Sequence, residues 1–160
     1  MKSEQEVNHA IDKYADMIQR ICLYRLKNKE DTEDVFQNVF LKYMLYEGQF
    51  ENEEHEKSWL IRVTLNACKD FIKIFLRKKT VPLEVLAEAV YISKEYSEVL
   101  EAVLSLPEKY KDVIYLHYYE GYSAYEIGTI LKKKENTVYS LLSRGRGILR
   151  EILGGEQFEG

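Results

Sequence analysis

Breakers are scarce in this chain of 160 residues: it has two prolines, Pro82 and Pro107, and eight glycines. Long helices are therefore favoured, since little interrupts them. Alternating apolar–polar stretches that would read as strands are missing, and no segment repeats. Apolar runs fall well short of the ~20 residues that span a bilayer, which excludes membrane insertion through a helix. The opening stretch MKSEQEVNHAIDKYAD is too polar for a secretory signal, so a cytoplasmic setting is expected. Cysteines number two, Cys22 and Cys68. Both sit in apolar helical patterns, and buried reduced thiols are expected there rather than a disulfide. His9, His55 and His117 lie far apart and lack metal-ligand spacing, so no metal and no cofactor is expected. A nucleophile elbow, a phosphate-binding glycine loop and an HExxH are all missing. No residue supports an enzyme reading.

What remains is a soluble composition, 46% hydrophobic and 31% charged, with the charge in blocks. The net charge of −4 hides a segment 28–56 at −7, two lysines against nine carboxylates. Segment 57–79 stands at +6, and 123–153 at +3. Two basic blocks suit phosphates, and an acidic block suits a basic partner.

The clearest motif is Ser123–Arg150, SAYEIGTILKKKENTVYSLLSRGRGILR. Ser123 with Glu126 forms a capping box. Ile127, Ile130 and Leu131 follow at helical spacing, and Lys132–Lys134 breaks the pattern. A second helix opens near Glu135–Thr137, with Val138, Leu142, Leu149 and Ile152 on its apolar face. Asn136, Tyr139, Ser140, Ser143, Arg144 and Arg146 lie opposite. This is the layout of a helix-turn-helix, whose second helix offers a polar, basic face to a DNA groove.

Upstream, the periodicity predicts helices over 7–27, 32–46 and 58–77, with Asn28–Asp31 as a polar break and Ser58 as the cap of the third. Arg62, Asn66, Lys69 and Lys73 step by four, three and four, so they share one stripe, with Trp59 at its head. Cations beside an aromatic suit single-stranded DNA: cations take phosphates and rings stack on bases. The same pattern also fits a solvated face whose tryptophan packs on its own core. Asp31, Glu33, Asp34, Gln37 and Asn38 form the outer side of the second helix, either as ordinary N-terminal acids or as a docking surface for a basic partner. Segment 79–94 reads as a linker. Helices over 95–104 and 109–119 precede the helix-turn-helix, Pro107 opening the second of them, and 154–160 reads as a mobile tail. The expected fold is all-α: one small domain over 1–78 and another over 95–153.

Three segments together resemble the bacterial sigma-70 family of RNA polymerase sigma factors, in its short extracytoplasmic-function type. Glu30–Leu41, EDTEDVFQNVFL, is similar to that family's region 2.2, and Lys57–Asp70, KSWLIRVTLNACKD, to regions 2.3 and 2.4. Leu106–Tyr110, Tyr118–Ser123, Thr137-Val138 and Ser143-Arg144 are similar to region 4. The resemblance implies that Asp34 and Gln37, with Asp31 and Glu33, dock on core polymerase. Trp59, Arg62, Asn66 and Lys69 would face the opened minus-ten element. Glu135, Asn136, Ser140, Ser143 and Arg144 would contact the minus-thirty-five element. An anti-sigma partner also belongs to this picture, and the polymerase would do the chemistry. The chain departs from the family at Tyr139 and Leu141, where Lys and Arg are usual, and at Gly145 and Gly147, which replace better helix formers. Two other readings stay open: a helix-turn-helix regulator without promoter opening, and a protein-interaction adaptor.

Overall fold

The computed structural model describes residues 1–77 and 97–154, which form seven α-helices and no strand among the described residues. The chain divides into two compact units, Met1–Ile92 and Ser93–Gly160. The expected linker 79–94 and all but the first residue of the expected tail lie outside the described residues.

In the first unit α1 spans Glu4–Leu26, α2 Lys29–Leu45 and α3 Glu53–Arg77. Helix α1 starts earlier than periodicity predicts, because the Ser3 hydroxyl accepts the Glu6 amide at 3.1 Å. A polar cap fixes this helix start, not the first apolar residue. The predicted break Asn28–Asp31 is a correction of the same kind. Lys27 ends α1 in the left-handed region (φ 56°), and Asn28 at once caps α2, its side chain accepting from the Asp31 amide at 3.0 Å. Asp31 is thus helical. Ser58 is not a cap either: it is buried within α3. Asn52 does that work, accepting the His55 amide at 2.8 Å, and Glu53, Glu54 and Glu56 fill the first turn, where the helix dipole favours acids.

Each helix of this unit packs on the other two. Ile18, Ile21 and Cys22 of α1 meet Val39 of α2 and Leu60, Ile61 and Cys68 of α3 in a core closed to solvent. Burying each such aliphatic side chain contributes about 1.5–3 kcal/mol. The Tyr43 hydroxyl donates to the Glu56 carboxylate at 2.8 Å, tying α2 to α3. Lys13 pairs with Glu53, tying α1 to the start of α3. Cys22 and Cys68 are free, buried thiols within hydrogen-bonding reach of each other.

In the second unit α4 spans Ser97–Ser105, α5 Glu108–Tyr118, α6 Ala124–Leu131 and α7 Glu135–Leu153. Helices α4, α5 and α6 all pack on α7. The core joins Val103, Val113, Ile114, Ile127, Val138 and Leu149, all shut off from water. Ile152, expected on the apolar face of α7, is instead 51% exposed, in the last turn of the helix. Gly145 lies against α5: a Cβ there would stand 3.0 Å from Ile114 Cγ1, whereas one at Gly147 would meet nothing within 4 Å.

Candidate nucleic-acid and partner interface

Helix α6 begins as its sequence dictates. The Ser123 hydroxyl accepts the Glu126 amide at 3.1 Å, and the Glu126 carboxylate accepts the Ser123 amide at 3.0 Å. The bend before it is braced by the Tyr115 hydroxyl, which donates to Glu120 at 2.9 Å, and by His117 Nδ1, which bonds the Tyr122 carbonyl at 2.8 Å. Gly121 turns through φ 76°. His117 thereby has a local structural role. The three-residue turn after α6 is equally tight. Lys132 takes the left-handed conformation (φ 57°), and the Lys133 amide returns to the Gly128 carbonyl at 2.8 Å. The chain passes so close that a Cβ on Gly128 would stand 2.7 Å from the Lys133 carbonyl oxygen.

This turn swings the start of α7 outward. Glu135, Asn136, Tyr139, Ser140, Ser143 and Arg144 are all exposed, while Val138, Leu141 and Leu142 are buried. Tyr139 thus faces outward and Leu141 belongs to the core. Arg146 sits apart from its predicted neighbours: it is half-buried, and its guanidinium donates to the Tyr118 hydroxyl at 3.0 Å. Tyr125 of α6 is 68% exposed and was not among the sequence-predicted contacts. Its clue was position: it lies two residues past the Ser123 cap, off the apolar stripe that Ile127 and Ile130 mark.

On α3 the stripe holds as a line: Arg62 and Lys69 half-buried, Asn66 and Lys73 exposed. Arg62 and Lys69 both have interactions within the protein. Trp59 is half-buried in an aromatic cluster, with ring centroids 4.8 Å from Tyr46, 5.7 Å from Phe50 and 6.1 Å from Tyr43. The sequence left open whether this tryptophan packs or is presented; it packs along its sides and keeps part of its surface in solvent. Tyr46 and Phe50 were not singled out, although two aromatic residues in so acidic a segment were a signal.

On α2, Glu33, Asp34, Gln37 and Asn38 are exposed and Asp31 is half-buried. The Asp31 carboxyl is pushed above its ordinary value, first by burial, then by repulsion from Asp34 and Glu30. Its ionised form is disfavoured in the free protein, and a cation placed over this face would relieve it. The same face continues toward the end of α2 with Leu41 and Leu45, 49% and 56% exposed. Among the described residues no three His, Cys, Asp or Glu side chains converge as metal ligands, and no helix is long and apolar enough to cross a membrane.

Comparison with known proteins agrees with this division of the chain. The family described as Sigma-70 region 2 matches residues 10–79, and Sigma-70, region 4 matches residues 96–149. The ECF RNA polymerase sigma factor SigW of Bacillus subtilis is 30% identical over 161 residues, covering 89% of this chain and 86% of that protein. The sigma factor RpoE of Bartonella quintana, solved in complex with the anti-sigma factor NepR, superposes with a TM-score of 0.66 at 18% identity, covering 96% of this chain and 99% of that one. CnrH, solved with the cytosolic domain of CnrY, gives 0.67 at 18% identity, covering 97% and 92%. With regions 2 and 4 of the family matched in order, and a relative 30% identical along most of its length, the chain belongs to the extracytoplasmic-function sigma factors of the sigma-70 family.

Proposed function

We propose that this sigma factor docks on core RNA polymerase through α2, captures the opened minus-ten element along α3, and binds the minus-thirty-five element through α7. Residues 1–78 form the docking and melting domain, 95–153 the upstream anchor, and 79–94 join them. The observation that carries the reading is the pairing of two faces of opposite character on one three-helix unit. The exposed Glu33, Asp34 and Gln37 lie on α2, and the line Arg62, Asn66, Lys69 and Lys73 lies on α3. An acidic, amide-bearing face suits a basic protein surface. A cationic line ending in an aromatic cluster suits a single strand. The exposed start of α7 suits a major groove, with Asn136, Ser140 and Arg144 as base or phosphate contacts, and Tyr139 supplies an uncharged hydroxyl where the family usually carries a cation. The polymerase carries out the chemistry; this chain supplies recognition. One solved neighbour is held by an anti-sigma factor and another by the cytosolic domain of CnrY, and we place this chain under anti-sigma control, in the cytoplasm.

Reconstitution with core polymerase and genomic promoter fragments tests the reading. Transcripts starting at defined sites are the expected result. Duplex binding without core, and no initiation with it, would make the chain a helix-turn-helix regulator. Failure of both would make it an adaptor.

A further inference from the structure

The segment before α1 crosses the far end of α2. The Lys2 amide donates to the Met44 carbonyl at 2.8 Å. The Lys2 ammonium donates to the Tyr46 carbonyl at 2.8 Å and reaches the Gly48 carbonyl at 3.4 Å. It also lies 5.2, 5.1 and 5.2 Å from the ring centroids of Tyr43, Tyr46 and Phe50. Those are the three rings against which Trp59 packs. The chain between α2 and α3 lacks regular backbone hydrogen bonding over 46–50, so its carbonyls need donors from elsewhere. A lysine free in solvent would keep its full rotamer freedom. This one gives that freedom up for two carbonyl acceptors and three ring faces, which attract a cation through their quadrupoles. Gly48 completes the seat: a Cβ there would stand 2.3 Å from the Tyr46 hydroxyl oxygen.

We propose that Lys2 is a positioning residue for promoter opening: it pins the loop between α2 and α3 and, through the shared rings, fixes the orientation of Trp59. Its effect on DNA rests on the reading of Trp59 given above; its effect on the loop does not. The test uses the full chain with Lys2→Met, which keeps the stem and removes the charge and donors, and Lys2→Arg, which keeps both. The chain has one tryptophan, so its emission reports on this site alone. In Lys2→Met, the hydrogen-bonded amides of Tyr46 and Glu51 are expected to exchange about tenfold faster, and Trp59 emission to shift to the red. Lys2→Arg is expected to stay close to the parent, and both variants to keep the helical signal of the parent. With core polymerase, Lys2→Met is expected to form open complexes several-fold more slowly at unchanged core affinity. Unchanged exchange and emission in Lys2→Met would overturn the pin. Tighter capture of a minus-ten single strand by Lys2→Met would also overturn it, making the lysine a plug over the rings. Changed exchange and emission with normal opening would keep the pin and overturn the role of Trp59 in opening.

Discussion

Cys22 and Cys68 face each other without solvent contact, and the Cys22 thiol is pushed far up by its bond to Cys68 and by burial. The thiolate is the reactive form, so both cysteines should resist a thiol reagent at neutral pH and react only as fast as the first unit unfolds. Labelling at the rate of an exposed thiol would show that the pair is reached by local opening. The glycines make a second residue-scale contrast, because three of the described ones occupy helices yet face different surroundings. Gly128→Ala puts a methyl 2.7 Å from a backbone oxygen, and overpacking of that kind costs about 1–3 kcal/mol. The gain in helix propensity offsets about 1 kcal/mol of that cost, so the second unit should melt several degrees lower by calorimetry. Gly147→Ala meets nothing and should raise the same transition by a comparable amount, from propensity alone. In the sequence Gly145 and Gly147 both replace better helix formers, with Gly147 projecting to the polar face. The packing of α7 on α5 separates them, since Gly145 touches Ile114 and Gly147 does not.

Among the helix starts, the reciprocal capping box of α6 was legible, whereas the single caps at Ser3, Asn28 and Asn52 were not. The α6 capping box is local, and it stands where Ser123 and Glu126 put it. Ser123→Ala should therefore cost about 1 kcal/mol, read as a lower melting temperature of the second unit with its helical signal retained. Ser58 looked like a cap because it precedes an apolar run, but Asn52 had already started the helix one and a half turns earlier. The stripe on α3 was legible as a period. The aromatic cluster at its head was not, because no repeat assembles it: the turn between α2 and α3 brings Tyr46 and Phe50 to Trp59, and Lys2 reaches the same rings from the segment before α1. The α2 face was legible as charge, although Asp31 proves half-withdrawn and Leu41 and Leu45 extend it with apolar surface. Asp34 is exposed, so Asp34→Lys should leave the melting of the first unit within about 0.5 kcal/mol of the parent. The reversed charge should weaken core polymerase binding at least tenfold in a titration, since like charges brought together at an interface cost several kcal/mol. Equal affinity would remove α2 as the docking face.

Polymerase docking and minus-thirty-five binding are assigned to different compact units, with Asp34 in one and Arg144 in the other. Substitutions at sites that share no partner act on free energy independently, within about 0.3–0.5 kcal/mol. Arg144→Ala removes one exposed cation from the start of α7. It should lower occupancy of the minus-thirty-five element by the assembled holoenzyme and reduce the salt dependence of promoter binding by about one phosphate contact, while leaving affinity for core polymerase as it was. Asp34→Lys should do the reverse: holoenzyme that does form should read its promoter normally. The double variant then decides whether the molecule works as two separable grips. Its loss in promoter-dependent transcription, measured at limiting polymerase, should equal the product of the two single losses. A double variant no worse than Asp34→Lys alone would mean that Arg144 acts only through polymerase. A loss well beyond the product would mean that docking and promoter reading are coupled between the units.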